Sequence, residues 1–183
     1  MLRGDKVSLR AQTEADAAVF HAELLSDVEM RSRADSRAWR PYRLGSSRSP
    51  YTDSDSDDKT AVFSVVERAT GELAGEALLW GIDAHNRLAH LGMSLLPSAR
   101  GRGLGADTVR LLCRYGFVVL GLQRLQLETL ADNEPMIRAA VRCGFTHEGT
   151  LRRAAWVLGA FADEVVYGQL ASEFLTSTVE TSR

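Results

Sequence analysis

Between a strand pattern and a helix pattern, the chain reads Leu95-Leu96-Pro97-Ser98-Ala99-Arg100-Gly101-Arg102-Gly103-Leu104-Gly105. Residues 88–96 alternate in the manner of a strand, which Pro97 ends. From Leu104 onward, apolar residues recur at helical spacing until Gly121, a typical C-terminal stop. A glycine-rich turn therefore leads from a strand into a helix.

This turn has the features of a phosphate-binding site. The first turn of a helix offers backbone N–H groups without intrahelical acceptors and the positive end of the helix dipole. Glycines let the backbone approach a pyrophosphate closely, and Arg100 and Arg102 supply charge for phosphate oxygens. The dinucleotide fingerprint is excluded, because its third spaced glycine is missing and the preceding strands are antiparallel. A P-loop is excluded because no Gly-Lys-Ser/Thr follows.

The remaining patterns predict one domain of mixed strands and helices. Strands are indicated at residues 7–10, 60–67, 73–82, 88–96, 124–130, 145–157 and 161–170, and helices after Thr13, near Val28, from Leu104 and from Asn133. Short turns join the three strands in the middle of the chain. They predict an antiparallel meander and therefore an α+β fold.

Residues 45–59 are rich in serine and aspartate. This composition predicts a flexible, solvated surface loop. The alternative is a mobile loop over a substrate site, anchored by Trp39, Pro41 and Tyr42.

Composition excludes several classes of protein. The 183 residues are 45% hydrophobic and 25% charged, and the formal net charge is −2. No strong basic excess indicates direct nucleic-acid binding. No apolar run reaches membrane-spanning length and the first ten residues lack an apolar signal segment, so we expect a cytoplasmic protein. Cys113 and Cys143 form no CxxC pair and are expected to be buried, reduced thiols.

Metal binding is not expected. His21, His85 and His147 are scattered and have no ligand spacing with cysteine or aspartate. The acidic run Asp53–Asp58 lacks the glycine and the closing glutamate of an EF-hand.

Arg-x-x-Gly-x-Gly at Arg100, Gly103 and Gly105 resembles the coenzyme-A-binding signature of the GNAT N-acetyltransferase family. The resemblance covers nearly the whole chain. The helix from Asn133, which ends in Gly144-Phe145, is similar to the family's next helix. Residues 9–16, 148–152 and 163–167 are similar to the branch that acetylates the N-termini of ribosomal proteins.

The resemblance implies a single GNAT-type domain over residues 1–175, with a short tail at 176–183. Its sheet would be mixed, mostly antiparallel and seven-stranded, with splayed central strands and about four flanking helices. The implied activity is transfer of an acetyl group from acetyl-CoA to a primary amine, without a metal. The branch indicates a protein or peptide N-terminal α-amine as acceptor.

Two alternatives to this activity remain at this stage. The acceptor could be a small-molecule amine, such as an antibiotic or a polyamine. The chain could also be a coenzyme A-binding module that transfers nothing. A homodimer is compatible with all of these.

The resemblance also assigns residues to the cofactor. Leu95 and Leu96 would offer backbone groups to the pantetheine arm. The pyrophosphate would be wrapped by Arg100, Gly101, Arg102, Gly103, Leu104, Gly105 and Ala106. Asn133 would bind the pantetheine arm near the thioester, or act only as a helix N-cap, or do both.

The expected proton-transfer groups depart from the family pattern. The position of the family's tyrosine acid is Ala140 here, and Met136 occupies the site where the branch often has a small hydroxyl residue. His90 is the nearest candidate for a base, since several relatives carry a glutamate near this place and an imidazole titrates near neutrality. Alternatively, His90 faces solvent or packs against Trp80. Weaker candidates are Glu76, Glu128 and Tyr115.

Overall fold

The computed structural model describes residues 1–35, 37–51 and 57–180. These residues form a sheet of eight strands in the order β1-β2-β3-β4-β5-β6-β8-β7. The strands are β1 (Leu2–Arg3), β2 (Val7–Arg10), β3 (Thr60–Glu67), β4 (Leu73–Asp83), β5 (Leu88–Leu95), β6 (Arg124–Leu130), β7 (Thr146–Val157) and β8 (Ala160–Leu170). All neighbouring strands are antiparallel except β5 and β6, which run parallel.

In the described part of the chain, five α-helices accompany the sheet. They are α1 (Glu14–Phe20), α2 (Val28–Ala34), α3 (Leu104–Arg114), α4 (Glu134–Arg142) and α5 (Ala171–Glu180). A π-helical turn extends α1 through His21–Leu25, and another extends α3 through Tyr115–Val119.

Two neighbouring residues of β3 show which helices cover which face of the sheet. The Ser64 hydroxyl donates to Asp16 of α1 at 2.8 Å, whereas the Phe63 ring lies 5.0 Å from the Tyr115 ring, just after α3. Successive side chains of a strand point to opposite faces. Helix α1 therefore covers one face and α3 covers the other.

The hydrophobic core lies between these helices and the sheet. Its fully buried side chains come from β2, α1, β4, α3 and β6, and include Val7, Leu9, Phe20, Leu79, Leu112 and Leu125. The core is continuous from the first strand pair to the end of β8. It fixes the ends of β5 and β6 relative to the start of α3.

Local signals in the sequence explain where the helices begin. Thr13 caps α1 in a capping box with Asp16, and Asn133 caps α4 by accepting from the Met136 N–H. Helix α3 begins differently, because its N-cap is Gly103 in the left-handed region at φ 75° with no capping side chain. The N–H groups of its first turn are therefore left for another acceptor.

The α+β prediction is confirmed, including the antiparallel meander β3-β4-β5 and the splayed central strands. The sheet has eight strands and not seven, because the chain before β2 adds the two-residue strand β1. The boundary at 175/176 falls inside α5. Within the acidic loop at 45–59, residues 52–56 lie outside the described residues.

Candidate active site

A cleft opens where the two parallel strands part. β5 and β6 pair only from Leu88 to His90, opposite Arg124 to Gln126. Beyond His90, β5 continues beside β4 alone, while β6 continues beside β8 alone. The cavity at this point has a volume of about 720 Å³, which is the size of a pocket for an extended small molecule.

The glycine-rich turn forms one wall of the cavity. Gly101, Gly103 and Gly105 all line it, as do Leu104 and Ala106. A Cβ atom on Gly105 would lie 3.0 Å from Met93 Cε and 3.9 Å from Leu95 Cδ1, both on the facing strand. The wall therefore presents bare backbone and first-turn N–H groups, as binding of a phosphate requires.

The two arginines of the turn point in different directions. Arg100 lines the cavity, and its Nε donates to the Leu95 carbonyl at 3.1 Å. Arg102 does not line it, because its guanidinium donates to Glu67 Oε2 at 2.8 Å. Lys6 Nζ donates to the Arg102 carbonyl at 3.0 Å and holds the loop from the same side.

Of the other residues assigned to the cofactor from the sequence, two line the cavity and one does not. Leu95 lines the cavity, whereas Leu96 is buried in the core and donates its N–H to the Ala74 carbonyl at 2.9 Å. Asn133 lines the cavity and also caps α4, and its Nδ2 donates to Thr129 Oγ1 at 2.8 Å. Its amide keeps one hydrogen free, so capping does not exclude contact with a ligand.

His90 lies outside the cavity wall, on the sheet just before the strands part. Its ring stacks on Trp80 with 4.1 Å between ring centroids, and its Nδ1 is 3.7 Å from Glu128 Oε1. The Nδ1 atom is buried and has no hydrogen-bond partner among the described residues. The ring therefore packs against Trp80, which was one of the alternatives from the sequence, and the role of His90 as a base stays a prediction.

Glu128 and Glu164 lie on the same face of the sheet as His90, and Glu128 is the one that approaches the imidazole. Glu128 precedes Leu130 by two residues, and Glu164 is the cross-strand partner of Leu130, which lines the cavity. Burial and the charge of Glu128 raise the pKa of Glu164. Two carboxyl groups therefore lie close enough to interact on this face of β6 and β8.

Several cavity residues were not predicted from the sequence. Helix α2 contributes Met30 and Arg33, α4 contributes Arg138 and Arg142, and Tyr51 comes from the segment before β3. The spacing of Arg138 and Arg142, one helical turn apart, was a usable sequence signal for one face of α4. No local signal places α2 or Tyr51 opposite the glycine-rich turn.

Among residues 1–35, 37–51 and 57–180, no group of three or more His, Cys, Asp or Glu side chains is arranged to hold a metal ion. The part of the chain that the structure describes also contains no helix long and apolar enough to span a bilayer. Cys113 and Cys143 are free thiols, and burial raises the pKa of each.

A glycine-rich helix start at a cleft between two parting parallel strands is the arrangement of an acyltransferase that uses a coenzyme A thioester. A family model described as an acetyltransferase (GNAT) domain matches residues 6–146, and the chain belongs to this family. It is an acetyl-CoA-dependent N-acetyltransferase. The bare helix start and Arg100 fit the pyrophosphate of that co-substrate.

Known relatives differ in the acceptors that their names give. The spermidine N(1)-acetyltransferase of Escherichia coli is 30% identical over 70% of this chain and 70% of its own. A putative ribosomal N-acetyltransferase of Bacillus subtilis is 32% identical over 57% of each chain. The structure of spermidine N-acetyltransferase from Vibrio cholerae with CoA and spermine has a TM-score of 0.79 at 21% identity, covering 93% of this chain and 98% of that one. This last likeness shows the fold.

Proposed function

We propose that acetyl-CoA lies in the cavity with its pyrophosphate at the start of α3 and its pantetheine arm between β5 and β6. The backbone from Arg100 to Ala106 supplies N–H groups for the phosphate oxygens, and the Arg100 guanidinium adds charge. Leu95 and Asn133 flank the gap between the strands, where the arm would need hydrogen-bond partners. Arg33, Arg138 and Arg142 provide further cations around the same cavity.

We further propose that the acceptor is a small molecule carrying more than one ammonium group, such as a polyamine. The supporting observation is the carboxylate pair Glu128 and Glu164 beside the gap, on the sheet face that also carries His90 and Trp80. Carboxylates attract ammonium groups, and the face of an indole ring also accepts a cation. Burial and, after it, the charge of Glu128 raise the pKa of Glu164, and a cation there would offset the second of these two effects.

An N-terminal α-amine, the acceptor expected from the sequence, becomes the second candidate. The putative ribosomal N-acetyltransferase among the relatives supports it. A peptide with one N-terminal α-amine needs only one ammonium-binding position, whereas Glu128 and Glu164 together offer two. The two acceptors are therefore distinguished by how strongly binding depends on Glu128 and Glu164.

The direct test is thiol release from acetyl-CoA with spermidine, an aminoglycoside and N-terminal peptides compared side by side. We expect turnover with spermidine to exceed turnover with every peptide. A clear preference for a peptide would reverse the order of the two candidates. Absence of thiol release with all three classes would leave a coenzyme A-binding module.

Glu164→Gln is expected to raise the KM for spermidine by about fivefold and to change kcat little. The substitution removes one charge near the bound cation, and an interaction between charges on a partly exposed surface is worth about 1 kcal/mol. Steady-state kinetics at low ionic strength measure this change in KM. Glu72→Gln, in the exposed turn before β4, is the matched control and should behave as wild type. An unchanged KM in Glu164→Gln would place the acceptor elsewhere.

His90→Ala is expected to raise the KM for the acceptor several-fold while kcat stays within about threefold of wild type. The reason is that the imidazole packs on Trp80 beside the acceptor position and does not reach the cavity wall. A general base at this position would instead contribute about a hundredfold to turnover. Kinetics across neutral pH distinguish the two roles, with exposed His85→Ala as the control. A loss of kcat on the hundredfold scale would restore His90 as the base.

A further inference from the structure

A buried phenol forms part of the cavity wall beside the end of β5. Tyr51 is 3% exposed, and it lines the cavity together with Ser94 near the end of β5. In the part of the chain that the structure describes, the cavity wall contains no other phenol, no imidazole and no thiol. Among the described residues, Tyr51 and Ser94 are the only lining side chains that carry a hydroxyl group.

The Tyr51 oxygen is held in place by a buried arginine. Arg31 of α2 donates from Nη1 to the Tyr51 oxygen at 2.9 Å, and its guanidinium also lies 5.3 Å from the centroid of the tyrosine ring. Arg31 is itself 9% exposed and forms an ion pair with Asp35. Because the guanidinium donates to the phenol oxygen, the phenol proton remains available for a different acceptor.

A buried carboxyl group belongs to the same cluster. Glu76 of β4 is the cross-strand partner of Ser94, and its Oε2 is buried without a hydrogen-bond partner among the described residues. Burial raises the pKa of Glu76 to about 7, although the charge of Arg31 and the Gln12 amide act against this. Burial also raises the pKa of Tyr51, as does the charge of Glu76, whereas Arg31 and Ser94 lower it. The phenol is therefore neutral and keeps its proton near pH 7.

We propose that the Tyr51 hydroxyl, fixed by Arg31, carries the proton from the acceptor amine to the departing thiolate. This inference rests on the proposed transferase function. In the reaction, the amine nitrogen bonds to the thioester carbonyl carbon and the carbon–sulfur bond breaks. The new ammonium nitrogen gives one proton to the Tyr51 oxygen, while the Tyr51 proton goes to the coenzyme A sulfur. Tyr51 ends unchanged.

A phenol is better suited to passing a proton from the amine to the thiolate than to protonating the thiolate without being reprotonated itself. A thiol has an ordinary pKa of about 8.5 and a phenol about 10, so a phenol cannot fully protonate a thiolate unless it is reprotonated at once. The ammonium formed by the attack supplies that proton. Arg31 lowers the cost of the step, because it already donates to the oxygen on which negative charge develops. Arg31 therefore acts as a positioning residue, and Tyr51 as the catalytic one.

The chain provides a compensation for the two family positions that lack a proton donor. Ala140 is fully buried and does not line the cavity, and Met136 lines it with a thioether. Neither side chain can donate a proton. A proton donor in this cavity would therefore come from another element, and the segment before β3 contributes Tyr51.

Tyr51→Phe removes the hydroxyl and keeps the ring, which packs 5.8 Å from the Phe20 ring. We expect kcat with the best acceptor amine to fall by about a hundredfold, while the acetyl-CoA dissociation constant stays within about twofold. The solvent deuterium isotope effect on kcat should also be reduced, which a purely structural role would not cause. Tyr42→Phe is the matched control from the same segment and should retain wild-type kcat.

The outcomes separate this inference from the proposed function. Wild-type protein that releases no thiol with any amine overturns both. Active wild type together with a Tyr51→Phe variant of normal kcat overturns only the relay. If Tyr51→Phe no longer binds acetyl-CoA, 3-fluorotyrosine at position 51 replaces it, because it lowers the phenol pKa and keeps the hydroxyl. The relay then requires a changed pH dependence of kcat, and an unchanged profile rejects it.

Discussion

Gly105→Val is expected to weaken acetyl-CoA binding by about a hundredfold, which corresponds to about 2.8 kcal/mol. The first atom of the new side chain would lie 3.0 Å from Met93 Cε, in the gap between the start of α3 and β5. The two methyl groups would then extend into the cavity and cover the N–H groups that we assign to the pyrophosphate. Folding should survive, because valine is no worse than glycine in a helix. Isothermal titration and thermal melting measure the two properties separately.

A matched pair of variants tests whether a change in the glycine-rich turn, and not backbone strain in general, causes the loss of acetyl-CoA binding. Gly103 and Gly71 have nearly the same left-handed backbone, with φ of 75° and 76°, but Gly71 lies in the exposed turn between β3 and β4 with nothing within 4 Å of a Cβ atom. Valine at either position causes similar backbone strain. Gly103→Val should lose acetyl-CoA binding and Gly71→Val should keep it. Wild-type affinity in both Gly103→Val and Gly105→Val would remove the loop as the cofactor site.

The parts of the fold that were predicted correctly have strong local signals. The limits of β3 and β6 match the predicted strands at 60–67 and 124–130, because alternation and flanking turn residues define both ends. Helix α1 begins after Thr13, as its capping side chain predicts. Strand β1 was missed because two residues carry no periodicity, and its pairing with β2 is a tertiary event.

The candidate site was predictable only where one contiguous segment builds it. The glycine spacing identified the wall formed by Arg100, Gly101 and residues 103–106, since the requirement for bare backbone is local. The orientation of Arg102 was not predictable, because it depends on an ion pair with Glu67 of β3. Tyr51 was also missed, since its position depends on Arg31 of α2 and on the end of β5. Sequence periodicity contains no information on these contacts between distant segments.

Asp16→Asn is expected to lower the free energy of unfolding by about 2–3 kcal/mol. The Asp16 carboxylate is buried and accepts hydrogen bonds from Arg10 at 2.9 Å, from the Thr13 N–H at 2.9 Å and from Ser64 at 2.8 Å. It thereby joins α1 to β2 and β3. Hydrogen bonds to a charged group contribute about 1.5–3 kcal/mol, and the partly exposed Arg10 recovers some hydration when its partner is lost. Urea denaturation measures the effect, with the exposed Asp5→Asn as control.

The same carboxylate should make the fold sensitive to acid. Burial on its own would raise the pKa of Asp16, but the hydrogen bonds from Arg10, Ser64 and Thr13 outweigh it and hold this pKa far below its usual range. A group whose pKa is lower in the folded state stabilises the fold fully above its unfolded pKa of about 3.9, and this stabilisation is lost as the pH falls toward the folded value. The difference in unfolding free energy between wild type and Asp16→Asn should therefore be constant from pH 8 to about pH 5 and shrink below about pH 4. A difference that stays constant down to pH 3 would mean that Asp16 is not held as a carboxylate by these contacts.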